Sequence, residues 1–364
     1  MTNYILQRLM WIVIILFTTL TITYVLLKLA PEYPPTKNDE RDTWLTKQYD
    51  DGYYTLEIYS MSNPEDMRKV DEIREEDGLN KTIFIVNPVN DSTIFKVFRR
   101  VPIIEQYFTW FTNVVTEWNW GTSSKIRVNA PAFSLIADRF PLTIRLNLFT
   151  LLFYIPFGFL FGIIAALKKD TWVDNAMQIL IMLFISLPSL VFVLLLQIVL
   201  GYQLEWLPPL FPIIELESAA KVASGYIIPV IAAGLPAIAG LTRLLRAELS
   251  EVLTSEFLQL AKTKGLSYQQ AVVRHAIRNS MVPMIPIIIG SFAGLLSGSF
   301  ILEQVYSIPG VGRITLQALA SGNYDYNVLM VSSAFYGVIG LVAVLVVDLS
   351  YGIIDPRIRM GAKK

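Results

Sequence analysis

Chemistry at neutral pH needs titratable or nucleophilic side chains gathered in one place, and this sequence offers few of them. It has one histidine, His275, and no cysteine. A lone imidazole without companion His, Cys or clustered carboxylates makes a poor metal site. The missing cysteines exclude disulfides, thiolate ligands and a cysteine nucleophile. No G-x-x-x-x-G-K-[ST] run can cradle phosphates, and neither G-x-S-x-G nor H-E-x-x-H occurs. The expectation is a chain that is not an enzyme and carries no metal or cofactor of its own.

The elements that would position any site must live in lipid. Across 364 residues, 54% are hydrophobic and 16% charged, and the mean hydropathy is +0.50, so the natural solvent is a bilayer. The net charge is zero, which leaves no global field to recruit nucleic acid. A hydrocarbon core of about 30 Å takes roughly 20 apolar residues per helix. About six such runs are expected, near Met10 to Leu29, Leu142 to Leu167, Ala176 to Leu204, Ile227 to Leu245, Met281 to Leu302 and Val328 to Ile354. The first run is longer than the roughly 7 to 15 apolar residues of a signal peptide and reads as an anchor.

An even number of spans puts both termini on one side. That face collects Arg8, Lys168, Lys169, Arg243, Arg246, Lys262, Lys264, Arg274, Arg278, Arg357, Arg359, Lys363 and Lys364, and the positive-inside bias makes it cytoplasmic. The opposite short loops carry only Lys221 and Arg313, and Tyr202, Trp206, Tyr226 and Trp172 sit where interfacial aromatics belong.

Ion pumps and proton-coupled carriers keep charges in mid-span, because such charges cost about 2.5 to 3.5 kcal/mol there and persist for a function. Here the exceptions lie near span ends: Arg145, Glu303 and Asp348, for which snorkelling or pairing at a helix end is expected. Gly290, Gly294 and Gly298, with Ser297 beside them, make one face of the fifth span nearly flat, and Gly158 with Gly162 does the same for the second. Two uses stand for such faces, helix packing or, in the fifth span, the lining of a translocation route. Beyond it, Glu303 and Pro309, Gly310 and Gly312 read as a rigid turn, a shaped external gate or a contact for a cargo-delivering protein.

The stretch Arg246 to Ser280 is polar, basic and helical in period. Leu253, Phe257, Leu260 and Ala261 recur at helical spacing as an apolar ridge, Gly265 suits a left-handed helix stop, and Ser267 with Gln270 forms a capping-box pattern. The prediction is a short helix, a tight turn and a second helix, with small Ala261 and Gly265 at the tip and Lys262 and Lys264 beside it. Such a knob suits insertion into a groove of another protein; an ordinary solvated loop is the competing reading. Between the first two spans, residues 30–140 form a long polar segment expected to be an extracytoplasmic insert of mixed structure. In it Glu65 to Glu76 reads as a helix, Thr82 to Val86 as a strand and Ile103 to Trp118 as an aromatic amphipathic helix.

At Ala261, Lys264 to Ser267, Arg274 to Ala276, Arg278, Asn279 and Pro283 the chain resembles the permease subunits of binding-protein-dependent ABC importers, more narrowly the B-type permease of the oligopeptide and dipeptide branch. Glu303 with Tyr306 to Gly312, Ser186 to Ser189, Trp206 to Pro208, Asp348 to Tyr351 and Asp355 to Arg359 extend the likeness, which covers the first span and everything from about Ile103 onward. Gln259 and Leu260 depart from it, standing where the general signature has Glu and Ala.

The resemblance implies an all-α integral membrane protein of the type I ABC importer, MetI-like, fold, with residues 1–29 as first span, 141–360 as core permease domain and 246–280 as cytoplasmic coupling loop. It implies that Glu256, Phe257, Gln259, Leu260, Ala261, Lys262, Lys264, Gly265, Leu266 and Arg274 dock on an ATPase, and that His275 has a structural role. Expected partners are a homologous second permease, two ATPase subunits holding ATP and Mg, an extracytoplasmic binding protein, a peptide substrate and membrane lipid. The location implied is the bacterial plasma membrane. The same framework serves nickel, glutathione or another small solute, and a receptor or scaffold without transport is the reading from another class.

Overall fold

The computed structural model describes residues 2–30, 34–76, 83–86, 94–296, 300–320 and 324–354. In chain order they form α1 (Thr2–Leu29), α2 (Asn38–Asp50), β1 (Tyr54–Ser60), α3 (Pro64–Glu76), β2 (Ile83–Val86), β3 (Ile94–Arg100), α4 (Ile103–Glu117), α5 (Ala132–Ala137) and α6 (Phe140–Leu167). There follow α7 (Trp172–Ser186), α8 (Ser189–Leu196), α9 (Ala219–Ser224), α10 (Ile227–Thr254), α11 (Glu256–Thr263), α12 (Tyr268–Ala271), α13 (Ile277–Ser280), α14 (Met284–Leu296), α15 (Phe300–Val305), α16 (Val311–Ala318) and α17 (Tyr326–Ile354). Two π-helical turns, Gln197–Gln203 and Val272–Ala276, continue α8 and join α12 to α13.

Among the described residues, four helical stretches are long and apolar enough to cross a membrane: Ile5–Leu29, Ala132–Leu167, Ala219–Thr254 and Tyr326–Ser350. They match the first, second, fourth and sixth expected runs. The third differs from the single span expected. It is bent by 96° between Trp172–Ser186 and Ser189–Gln203, because Pro188 lacks an amide donor and forces Leu187 into extended backbone (φ −91°, ψ 128°). The fifth run is helical over α14 and α15, while Ser297 and Gly298 lie outside the described residues.

The chain divides into two compact units. The first comprises residues 139–313 with the outer ends of α1 and α17. Its centre is the packing of α6 on α10: a methyl on Gly158 would meet Leu241 Cδ2 at 2.7 Å, and one on Gly162 would meet Leu245 Cβ at 2.8 Å. Packing is therefore what these two glycines do. Half of the most apolar window of Ala219–Thr254 (50%) is buried, against 6% for α1, which makes α10 the hub of the packing and leaves α1 mostly exposed. One apolar cluster joins Leu142 and Leu146 of α6 to Phe192, Tyr226, Leu302 and Ile308; another joins Leu151 and Tyr154 to Leu241, Leu245, Leu258 and Met284.

The second unit comprises Val13–Asp138 and Ile314–Phe335. An antiparallel sheet in the order β1-β3-β2 pairs Leu56 with Phe98 and Ile85 with Val97. Central β3 buries Phe95, Val97 and Phe98, and Trp44 of α2 sets its ring against Tyr54, 6.2 Å between centroids. Helix α3, strand β2 and helix α4 stand where helix, strand and amphipathic helix are expected, with Thr82 outside the described residues. The sequence reading has no counterpart for α2, β1 or β3. Asp325 ties the start of α17 to this unit, accepting from Ser123 Oγ (2.5 Å) and from the backbone N–H groups of Lys125 (3.1 Å) and Ile126 (3.3 Å).

Candidate coupling site

The expected short helix, turn and second helix are present between Glu256 and Ser280. Helix α10 runs uninterrupted past Arg246 to Thr254 and stops where Ser255 turns extended (φ −72°, ψ 149°). Helix α11 starts at once and ends at Gly265, whose φ of +92° is the left-handed conformation glycine adopts without strain. A methyl on Gly265 would find no neighbour within 4 Å among the described residues, so backbone conformation rather than space requires the glycine. Ser267 then caps the next helix in a reciprocal box: Gln270 N–H donates to Ser267 Oγ (3.3 Å) and Ser267 N–H to Gln270 Oε1 (3.2 Å).

The apolar ridge is placed differently from the expectation. Leu253 belongs to α10 and Phe257 to α11, so helical spacing does not carry across the break at Ser255. One turn apart on α11, Leu258 and Ala261 face inward and join the cluster that holds Leu245 and Leu249 of α10 with Ala271 and Ala276. Ala261 is thus a core residue and not part of the tip. Phe257 and Leu260, 51% and 55% exposed, stand outward instead.

Around them Glu256, Gln259, Lys262, Lys264, Gly265 and Arg274 are exposed and Leu266 is half-buried. Lys262 Nζ lies 4.8 Å from the Tyr268 ring centroid, and the rings of Phe257 and His275 meet edge to face at 5.8 Å. Tyr268 and Val273 add exposed apolar surface that the sequence reading left out; the signal was Tyr268's place directly after the cap. Among the described residues, no group of three or more His, Cys, Asp and Glu side chains could hold a metal ion.

Sequence reasoning also missed the fastening of α7 to α10. Arg246 donates through Nε and Nη2 to the two carboxylate oxygens of Asp174, both at 2.6 Å, and Asp170 N–H adds a third bond at 3.1 Å. Arg246 had signalled only orientation, although an acid in a first helical turn and a base at the end of another apolar run suit such a pair. Asp348 pairs with Arg8 at 3.1 Å, the helix-end pairing expected of it.

Glu303, expected to snorkel or pair at a helix end, is instead fully buried and organises the turn beyond the fifth run. Thr143 Oγ1 donates to its Oε1 (3.0 Å), Arg313 N–H to its Oε2 (3.1 Å), and Gly312 N–H also bonds the carboxylate. Val311 N–H donates in turn to Thr143 Oγ1 (2.9 Å), and Arg313 Nη1 to the Ser307 carbonyl (2.7 Å). A methyl on Gly310 would lie 2.6 Å from Glu303 Cδ and 2.7 Å from Thr143 Oγ1; one on Gly312 would meet Phe300 Cα at 3.0 Å. The Pro309 to Gly312 stretch is therefore a turn folded tightly round a carboxylate that accepts the first amides of α16. Tyr306 donates its hydroxyl to the carbonyl of Pro208, linking that turn to the Trp206 to Pro208 stretch.

Of the candidate route residues, Gly290 has Val347 as its one neighbour among the described residues, 4.0 Å from where a methyl would stand. Gly294 lies on α14, and Ser297 and Gly298 lie outside the described residues, as does the Asp355 to Arg359 stretch with its basic residues.

Residues 158–360 match the family described as binding-protein-dependent transport system inner membrane component. The dipeptide transport system permease protein DppB of Lactococcus lactis subsp. cremoris is 37% identical over 259 residues, 71% of this chain and 82% of its own. The oligopeptide transport system permease protein OppB of Haemophilus influenzae is 31% identical over 258 residues, 71% and 81% of the two chains. A solved amino acid ABC transporter with histidines aligns with TM-score 0.45 and 17% identity over 60% of this chain and 93% of that one. This chain belongs to the family of binding-protein-dependent transport system inner membrane components.

Proposed function

We propose that this chain is a transmembrane permease half of an ATP-driven peptide importer, and that it forms the translocation path without hydrolysing ATP. The peptide class rests on the relatives, which are named for dipeptide and oligopeptide transport. In this reading it pairs with a homologous second permease, two ATPase subunits carry ATP and Mg, and an extracytoplasmic binding protein delivers the peptide. Both termini and the 246–280 stretch lie on the cytoplasmic side of a bacterial plasma membrane, consistent with the basic residues gathered there.

The observation that carries the coupling role is the knob itself. Its outer face presents Phe257, Leu260, Lys262 and Lys264, while Leu258 and Ala261 are packed with Leu245 and Leu249 on the long helix α10. Close-packed interiors transmit displacement rather than absorb it. A push on Phe257 and Leu260, when ATP draws the ATPases together, therefore moves α10, and through Asp174 and Arg246 it moves α7. The cavity then alternates its opening.

Single cysteines at Phe257 or Lys264 of this cysteine-free chain, cross-linked in native membranes, should capture a nucleotide-hydrolysing subunit. Reconstituted vesicles holding the co-purified complex and its binding protein should take up a radiolabelled dipeptide only with ATP. Capture of no ATPase, or ATP-independent uptake, would overturn the coupling reading; uptake of nickel or glutathione in place of peptide would overturn the substrate class.

A further inference from the structure

Helix α4 is apolar on two faces. One packs inside its own unit: Trp110 and Val114 are buried, Trp110 lies 5.1 Å from the ring of Tyr24 on α1, and Gln106 bonds the Val101 carbonyl. The other face is exposed and made of Ile104, Phe108, Phe111 and Val115, spaced by steps of four, three and four, so they form one continuous stripe along the helix, and exposed Trp118 follows at its C-cap in left-handed backbone (φ 55°). Phe133 continues it, its ring 5.4 Å from Trp118. Between Glu105 and Glu117 the helix carries no charge, whereas α3 of the same unit is studded with acids and bases. Thr116 satisfies its hydroxyl on the Thr112 carbonyl at 2.8 Å, which spares it a water partner.

What bathes this stripe follows from where α4 is seated. Tyr107 shares a hydrogen bond with Thr21 of α1 (2.7 Å), and Phe111 meets Phe17 edge to face at 5.6 Å. Phe17 lies about three turns, on the order of 16 Å, along α1 from Lys28. It is near the middle of the Ile5–Leu29 stretch, which is long and apolar enough to cross a membrane and leaves Val13, Phe17, Ile22 and Val25 exposed. A helix that touches α1 at that depth cannot belong to a purely aqueous domain. We propose that α4 is embedded in the lipid leaflet at the Lys28 end of α1, with Ile104, Phe108, Val115 and Trp118 in contact with acyl chains. The segment between the first two spans is then partly a membrane element, with Trp118 and Phe133 as its aromatic anchors.

The test uses the assembled complex in vesicles and single cysteines carrying an environment-sensitive fluorophore. Phe108→Cys and Val115→Cys report the stripe, Val13→Cys on α1 is the lipid reference, and Glu65→Cys on α3 is the aqueous reference. All four positions are exposed, so none of the substitutions opens a packing defect. With lipids brominated in their acyl chains, emission at 108 and 115 should be quenched several-fold, as at 13, and emission at 65 should be unchanged. Quenching at 13 without quenching at 108 and 115 overturns the proposal. Red-shifted emission there would mean water, and blue-shifted emission without quenching would mean a protein helix packed on the heptad-spaced stripe.

Discussion

Removing either member of the Asp174 and Arg246 pair should loosen the joint between α7 and α10, and the two removals should not be equivalent. Asp174's side chain is 2% exposed and Arg246's is 22% exposed. Breaking a buried pair by deleting one partner costs about 3 to 5 kcal/mol, most of it from the charge left behind. Arg246→Ala strands a carboxylate that keeps the Asp170 N–H at 3.1 Å and little water, so a loss near the middle of that range, about 4 kcal/mol, is expected. Asp174→Ala strands a guanidinium that can still reach solvent, so its loss should fall at the lower end, about 3 kcal/mol. The double variant removes both charges and should cost about 2 kcal/mol less than the sum of the singles. Denaturant unfolding of the purified chain in micelles, analysed as a double-mutant cycle, gives these differences from midpoints at constant slope. Additivity within about 0.5 kcal/mol would refute the argument. So would a larger loss for Asp174→Ala than for Arg246→Ala.

Gly310→Ala should destabilise by about 1 to 3 kcal/mol, because its methyl has no room beside Glu303 and Thr143. Gly240→Ala, whose methyl meets nothing within 4 Å among the described residues, should raise the unfolding midpoint by removing a helical glycine worth about 0.5 to 1 kcal/mol. Thermal scans of both variants check the contrasting signs. Ser267→Ala should lose about 1 kcal/mol of capping, visible as faster hydrogen exchange over Tyr268–Ala271. Leu258→Ala should cost about 2 to 5 kcal/mol of stability, whereas Phe257→Ala, which loses its edge contact with His275, should cost at most about 1 kcal/mol while abolishing peptide uptake. Equal stability losses at 257 and 258 would remove the distinction between the knob's outer and inner faces. Gly294→Leu with full assembly and no uptake would support a route along the fifth span, and failed assembly would support packing.

Local signals were legible from the residues alone. Long apolar runs located four spans, Gly265 and the Ser267 and Gln270 pair announced the helix stop and restart, and the motif residues from Ala261 to Pro283 pointed to the family. Each of these depends on neighbours within a turn or on solvent, so the chain states it without knowing its own fold. The insert was only partly legible, because β3 buries Phe98 on the face opposite Phe95 and Val97, which breaks the alternation that marks a half-buried strand.

Tertiary structure alone decided which residues meet across long separations. Arg246 reaches Asp174 across 72 positions and Thr143 reaches Glu303 across 160, and nothing in either segment names the other. The break at Ser255 re-aimed α11, so Leu258 and Ala261, rather than Phe257 and Leu260, entered the core. Periodicity gives a helix an apolar side, but the direction of that side is set by how the preceding helix ends and what it packs upon.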